Sequence, residues 1–295
     1  KDVTFQNESV RYSVPEWIID GWNADYGRDV TEKMLEAFMQ PAKITVRTNT
    51  QKCTPEELKD RLSQEGVTVE AIEGISYAFA LSGFDYLAGL GSFQDGWFYV
   101  QDISSMTVAH AADPKKGDYI IDVCAAPGGK SSHLAELLDG SGMVEARDLT
   151  EYKVGLIEEN ILRHDLHNMK AVQQDATLFD EASVEKADIL ICDLPCSGLG
   201  VIGRKSDIRY KMTAEKAHDL AVLQQEMLDT VWKYVKRGGK LIYSTCTIHK
   251  EENEDNVAAF LQKHPQFTLV EQRQIFPMEV SDGFFVAKMI RSTDE

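Results

Sequence analysis

Between residues 102 and 291, short apolar runs rich in Val, Ile, Tyr and Phe alternate with helix-patterned stretches, and this alternation restricts the fold more than any other feature. The runs at 119–124, 143–148, 170–174, 187–193, 240–246 and 284–290 read as strands. Over 214–236, Leu220, Leu223, Met227, Val231 and Val235 recur at helical spacing; over 151–163, Val154, Ile157 and Ile161 do the same. Strand–helix alternation calls for a parallel sheet covered on both faces, an α/β architecture. The final strand follows Phe267-Thr268-Leu269-Val270 with no helix between them, so the C-terminal edge is expected to be an antiparallel hairpin.

Residues 1–101 follow another pattern and are expected to form a helical segment plus a small α+β module, with 102–295 as the main domain. Trp17, Ile18, Met34, Leu35 and Phe38 suggest two early helices. Thr54-Pro55-Glu56-Glu57 is a helix start: a cap, proline at the first position and Glu three residues after the cap. Gly66 would end that helix. Short strands are expected at 43–48 and 67–72, and a turn at Asp95-Gly96 near the boundary.

The chain has 295 residues, 43% hydrophobic and 27% charged, which is ample for a sizeable core. No apolar run approaches the roughly 20 residues of a membrane helix. Five cysteines, an odd number, argue for free thiols in a reducing cytoplasm. Lys1-Asp2-Val3-Thr4-Phe5 shows neither an initiator Met nor a signal-peptide pattern, so the chain is expected to be a piece of a longer protein. The net charge of −17 is spread through both parts and opposes a simple nucleic-acid reading. One local cluster runs the other way: Arg204, Lys205, Arg209 and Lys211 are opposed only by Asp207, and could meet phosphates or form a solvated loop.

Three motifs carry chemistry. Asp122-Val123-Cys124-Ala125-Ala126-Pro127-Gly128-Gly129-Lys130 is a strand running into a glycine turn, where an open α/β sheet binds a nucleotide-like cofactor. Pro127 distinguishes it from a phosphate-binding loop or a GxGxxG turn, and the following helix start favours a carboxylate. Asp148 ends the second strand, where an acidic residue bonds ribose hydroxyls, and Asp175 ends the third, near an adenine edge. Singly each Asp could be a strand-end cap; together with the loop they fit an adenosine-bearing cofactor. Finally, Ile189-Leu190-Ile191-Cys192-Asp193-Leu194-Pro195-Cys196-Ser197-Gly198 and Ser244-Thr245-Cys246-Thr247 each end an apolar run with a cysteine. Two neighbouring strands would thereby deliver two thiols to one sheet edge. A strand cysteine is usually inert, as expected for Cys124 and Cys192. Zinc is a poor alternative, because there is no CxxC and the histidines do not pair with the thiols.

In this order, the motifs resemble the Nop2/Sun/RsmB family of S-adenosylmethionine-dependent RNA cytosine-5 methyltransferases. The resemblance is carried by Gln101-Asp102-Ile103-Ser104-Ser105, Asp122 to Lys130, Asp193 to Gly198, Thr245-Cys246-Thr247 with Glu252-Asn253-Glu254, and Asp282-Gly283-Phe284-Phe285. It covers about 40 to 291. It implies a Rossmann-like class I methyltransferase domain, mostly parallel with a C-terminal antiparallel hairpin, preceded by a small RNA-binding α+β subdomain around Pro41, Arg47, Thr48 and Asn49. It further implies that Cys124, Ala125, Ala126, Pro127, Gly128, Gly129, Lys130, Asp148, Asp175 and Asp193 surround S-adenosyl-L-methionine. Cys246 would be the nucleophile and Cys196 would assist product release, although cytosine-5 enzymes acting on DNA use the Pro-Cys thiol as nucleophile. Leu194 replaces the usual Ala and is expected in the site wall. The partner implied is RNA, small-subunit (16S) ribosomal RNA first and transfer or large-subunit RNA as rivals, contacted by Arg47, Arg204, Lys205, Arg209 and Lys211. No metal or membrane is implied, and a monomer is expected. The members most like this chain usually carry an N-terminal NusB-like helical domain, which is not in this sequence. Two rival classes are a catalytically silent S-adenosylmethionine-binding module of ribosome assembly and an NAD-dependent oxidoreductase; both thiols and Pro127 speak against them.

Thiolate addition to carbon 6 of cytosine would turn an unreactive carbon 5 into an enamine carbon able to take a methyl group. Asp193 would bond the amino or ring-nitrogen edge and stabilise the developing charge. The target base must be unpaired or flipped from its stack.

Overall fold

A computed structural model describes residues 7–294, so the segment Lys1 to Phe5 lies outside the described residues. Three helices come first: α1 (Glu8–Tyr12), α2 (Glu16–Tyr26) and α3 (Arg28–Met39). The small domain follows, with β1 (Ile44–Thr48), α4 (Pro55–Gln64), β2 (Thr68–Ile72), β3 (Ile75–Ser82), α5 (Gly91–Gln94) and β4 (Phe98–Val100). Its four strands form an antiparallel sheet in the order β2-β3-β1-β4. The expected capping box is present: Thr54 Oγ1 accepts from Glu57 N, and Glu57 accepts from Thr54 N. Gly66 follows the helix at φ +84°. Val46, Leu58, Leu62, Phe79, Leu81 and Phe98 pack the sheet against α4 as a separate core.

The large domain runs α6 (Ile103–Ala112), β5 (Tyr119–Asp122), α7 (Gly129–Leu137), β6 (Met143–Asp148), α8 (Glu151–His164), β7 (Met169–Gln173), β8 (Ala187–Asp193), α9 (Ile208–Lys211), α10 (Ala214–Val231), β9 (Val235–Thr245), α11 (Glu254–Lys263), β10 (Phe267–Ile275) and β11 (Phe284–Arg291). Its seven-stranded sheet has the order β10-β11-β9-β8-β5-β6-β7. The strands from β9 to β7 are parallel, and β11 inserts antiparallel between β9 and β10. Ile120 and Ile121 point to opposite faces, as alternation along a strand requires, and both are fully buried. Helices α6 to α8 cover one face and α10 and α11 the other, which explains why the central strands read as continuous apolar runs. The sheet leaves β5 toward β6 on one side and β8 on the other, and ligands bind at such a switch point, beyond the carboxyl ends of the strands.

Three expectations need correction. The helix expected over 214–236 stops at Val231; Val235 already pairs with Ala187, and a short 3-10 turn at Trp232–Tyr234 makes the junction. The early region contains three helices, the extra one being the five-residue α1, too short to show a period. The small sheet has two strands, β3 and β4, beyond those expected at its N-terminal end. Among the described residues no helix is long and apolar enough to cross a membrane.

Candidate active site

The carboxyl ends of β5, β8 and β9 place Asp122, Asp193 and Cys246 around one cleft of about 460 Å³. Its walls include Ala125, Ala126, Pro127, Gly129 and Lys130 from the glycine turn, Arg204 and Lys205 from the basic cluster, and Asp282 and Phe284 from the hairpin. Gly128 caps α7 at φ +105°, a backbone state that side-chain-bearing residues rarely adopt, and the first residues of α7, Gly129 and Lys130, line the cleft.

Cys246 and Cys196 meet side chain to side chain, with the sulfurs 3.2 Å apart, and both are half-buried free thiols. The pair shares its proton unequally. The hydrogen bond from Cys196 lowers the Cys246 pKa, outweighing burial, and Lys130 and Lys205 act in the same direction. Cys196 moves the opposite way, raised well above the usual thiol range by the same hydrogen bond, by burial and by the charges of Cys246 and Glu252. The hydrogen bond thus favours the thiolate form of Cys246, the sulfur that lines the cleft.

Beside it, Lys130 Nζ bonds Asp193 Oδ2 at 2.6 Å, and Asp193 Oδ1 accepts from Ser244 Oγ at 2.7 Å. Burial works against the charge on Lys130, but Asp193 and Cys246 outweigh it and hold the ammonium. Backbone packing fixes this arrangement. A Cβ on Gly200 would lie 2.1 Å from Gly283 O and 2.8 Å from Cys246 O, so only glycine lets the 198–203 loop touch both segments. Gly200 N donates to Cys246 O and Gly283 N donates to Gly200 O. Helices α2 and α3 brace the same loop: Trp22, Met34, Leu35 and Phe38 form a core with Leu199, Ile202 and Ile248.

Other expected cofactor residues carry partners of their own. Asp148 is buried behind the turn; its carboxylate accepts from Ala126 N and Leu149 N and pairs with Lys153. Asp175 commits Oδ1 to the backbone and hydroxyl of Thr177. Neither residue, nor Cys124 or Gly128, is on the cleft wall. Cys124 instead packs against the α10–α11 core, and burial raises its pKa far above the ordinary range. Leu194 does not form the site wall; it is buried in that same core.

Burial overturns two of the five expected phosphate contacts, Arg47 and Arg209. Arg47 is 1% exposed: it bonds Glu136 at 2.7 Å, bonds Gln101 at 2.7 Å and stacks on Tyr99, pinning the small domain to α7. Arg209 is buried and donates to Ile202 O and Tyr12 O. Arg204 spends its guanidinium on Asp282, Asp102 and Lys43 O. Lys211 is exposed and pairs with Asp207. Of the cluster, Lys205 is exposed at the cleft and carries a charge felt by Cys246. Basic residues that cluster in sequence are here scattered by the loop and α9, several of them into domain contacts.

Asp122 is a site residue to which the sequence reading gives no separate role. It is buried, Oδ2 accepts from Ser131, and Oδ1 has no partner although the residue lines the cleft. The signal was present in its position, the last residue of β5 at the switch point.

Comparison with known proteins gives this geometry a family. A model described as 16S rRNA methyltransferase RsmB/F matches residues 109–290, and one for the ferredoxin-like domain of the RsmF/B-like methyltransferases matches 14–84. A probable ribosomal RNA small subunit methyltransferase B from Bacillus subtilis is 38% identical over 94% of this chain and 66% of its own length. Its counterpart from Synechocystis is 34% identical over 86% of this chain and 57% of its own, so the chain spans about two thirds or less of these relatives. A crystal structure of a methyltransferase homologue from Pyrococcus horikoshii is 27% identical, covers 96% of this chain and 97% of that one, and superposes with a TM-score of 0.83. With both domain models matched and a cysteine pair at the mouth of the methyltransferase cleft, the chain belongs to the 16S rRNA methyltransferase RsmB/F family.

Proposed function

We propose that this chain methylates carbon 5 of a cytosine in small-subunit ribosomal RNA, using S-adenosyl-L-methionine and a covalent Cys246–cytosine adduct. The observation that carries the reading is the thiol pair at 3.2 Å, with Cys246 on the cleft wall beside the Lys130–Asp193 pair. The names of the relatives support the RNA class, and the chemistry of the donor set supports the base.

The cleft fits the proposed methyl donor. The unpartnered Asp122 carboxylate oxygen suits an ammonium group, the backbone N–H groups at the start of α7 suit a carboxylate, and Ala125, Ala126 and Pro127 offer apolar wall. When bound, S-adenosylmethionine supplies an electrophilic methyl group on a sulfonium. Cys246 thiolate forms a bond to carbon 6 of the pyrimidine and drives the electron pair of the 5,6 double bond toward carbon 5. Asp193, fixed by Ser244 and Lys130, bonds the polar edge of the ring as charge develops there. After carbon 5 has taken the methyl group, whose former bonding pair would stay on the donor sulfur, a base removes the carbon 5 proton, the double bond re-forms and the carbon–sulfur bond to Cys246 breaks, returning its pair to Cys246. Cys196 is the nearest candidate to assist this release.

Burial pushes Asp122 up to about 7, with Ser131 opposing and Asp193 reinforcing. A carboxyl raised in the folded state contributes stability that is full at low pH and lost as pH rises through about 7. A bound ammonium favours the ionised form, so affinity for S-adenosylmethionine is expected to rise from pH 6 to pH 8. Asp122→Asn is expected to remove that dependence and to weaken binding about ten- to hundredfold, the worth of one charge-assisted hydrogen bond. Calorimetric titration at both pH values checks this.

Function itself is tested by incubating the chain with methyl donor and unmodified ribosomal or transfer RNA, followed by bisulfite sequencing. Methylcytosine confined to small-subunit RNA is the expected outcome. Modification of large-subunit or transfer RNA would reassign the substrate, and methylation at a base other than cytosine would overturn the proposed chemistry.

A further inference from the structure

Behind the thiol pair sits a buried carboxylate that the mechanism above does not use. Glu252 is 0% exposed, yet its carboxylate is tied to the turn that carries Cys196. Its Oε1 accepts from Ser197 N at 2.8 Å and from Gln224 Nε2 at 3.0 Å, and its Oε2 accepts from Ser197 Oγ. Gln224 also donates to Pro195 O at 2.8 Å, so both residues adjoining Cys196 are tied to one carboxylate. Ser197 Oγ lies 2.8 Å from Thr247 Oγ1, which extends the tie to the neighbour of Cys246. Tyr243 OH bonds Glu252 O and so fixes the residue to β9 from below.

Resting on the methyltransferase reading of the site, we propose that Glu252 is a positioning residue that holds the Cys196 turn against Cys246 and confines the negative charge of the thiol pair to Cys246. Charge placement explains why a carboxylate serves here. A buried anion behind Cys196 repels a second anion on that sulfur, so the proton stays on Cys196 and is offered to Cys246. Lys130 on α7 and Lys205 in the loop draw the charge toward Cys246; Asp193 at the end of β8 opposes them. Two further titratable groups face Glu252: His249, with Nδ1 3.4 Å from Glu252 Oε2, whose protonation burial opposes and Glu252 promotes, and Tyr243, which burial keeps protonated. The Gly198 N–H favours charge on Cys196, the one contact from its own turn that opposes Glu252.

The test needs neither RNA nor methyl donor. Iodoacetamide forms a bond from a thiolate sulfur to its methylene carbon and expels iodide; peptide mass mapping then scores Cys246 against Cys196 over pH 6 to 9. The unmodified chain should alkylate first at Cys246. Glu252→Gln keeps the shape but loses the charge, and should lower the Cys246-to-Cys196 ratio about tenfold, the equivalent of one pKa unit. Glu252→Asp, which keeps the charge, should recover most of the preference. Turnover of Glu252→Gln should fall with little change in the KM for S-adenosylmethionine, since the cofactor wall is untouched. Circular dichroism and cofactor binding establish that the variants are folded; should Glu252→Gln not fold, Gln224→Leu, which cuts the link from Glu252 to Pro195 O along with the bonds to Tyr243 and Asn256, should reduce the same ratio. An unchanged ratio in the folded variants overturns the proposal, as does equal alkylation of both sulfurs in the unmodified chain. Because alkylation reports the thiols alone, failure to methylate RNA would count against the functional reading and leave this result standing.

Discussion

Cys246→Ala is expected to lower methyl transfer on the order of 10⁴-fold or more, the scale seen when a covalent nucleophile is removed. The loss should come without loss of fold. Cys246 is half-buried at the cleft wall, so truncating it opens little interior space and should change stability by less than about 1 kcal/mol. The neighbouring variant should behave differently. Cys196→Ala leaves a sulfur at 246 that can still attack but removes the group placed to assist release, so an RNA–protein adduct should accumulate on denaturing gels. The same deletion removes the hydrogen bond that lowers the Cys246 pKa. Adduct formation in Cys196→Ala should therefore need a higher pH than in the unmodified chain. Adduct in Cys246→Ala but none in Cys196→Ala would reverse the roles of the two sulfurs.

Arg47→Met should destabilise the chain by about 3–5 kcal/mol, because it strands a buried carboxylate. Glu136, paired with Arg47 at 2.7 Å and equally sealed from solvent, would be left without its cation. Burial already raises the Glu136 pKa, with Arg47 opposing; removing Arg47 raises it further. A folded-state pKa above the unfolded one means stability that is full at low pH and lost as pH rises through the folded value. The deficit of Arg47→Met should therefore widen with rising pH in urea unfolding experiments. Arg47→Met with Glu136→Leu should recover much of the loss, since an apolar pair of similar volume replaces a desolvated one. Little effect from Arg47→Met would mean that the small domain is not held through this pair.

Why Arg47 misleads from sequence alone is instructive. It lies on a short strand in a module resembling an RNA-binding subdomain, and nothing local distinguishes a phosphate ligand from an internal ion pair. Glu136, its partner, lies 89 positions away on α7, and only the packing of two domains brings them together. Arg209 fails for the same reason: its acceptor, Tyr12 O, belongs to the N-terminal helices. Local signals fared better. The capping box at Thr54, the alternating strands and the hairpin after Phe267 depend on neighbours in sequence, and each stands where expected. The two cysteines were legible because each ends an apolar run, and adjacent parallel strands bring such ends together. Glu252 belongs to the Glu252-Asn253-Glu254 motif that helps carry the family resemblance, but nothing local in sequence places its carboxylate against the Cys196 turn. Its burial comes from the fold-back of the Lys250–Glu252 turn beneath the Cys196 loop.

The central claim is that the sulfur of residue 246 bonds to the target base. RNA carrying 5-fluorocytosine at the target position tests it, because fluorine cannot leave carbon 5 as a proton does and the covalent complex persists. Digestion of that complex and mass spectrometry of the peptides should find the nucleotide on the fragment containing Cys246. Its appearance on the Cys196 fragment, or the absence of any cross-link while methylation of ordinary RNA proceeds, would contradict the account.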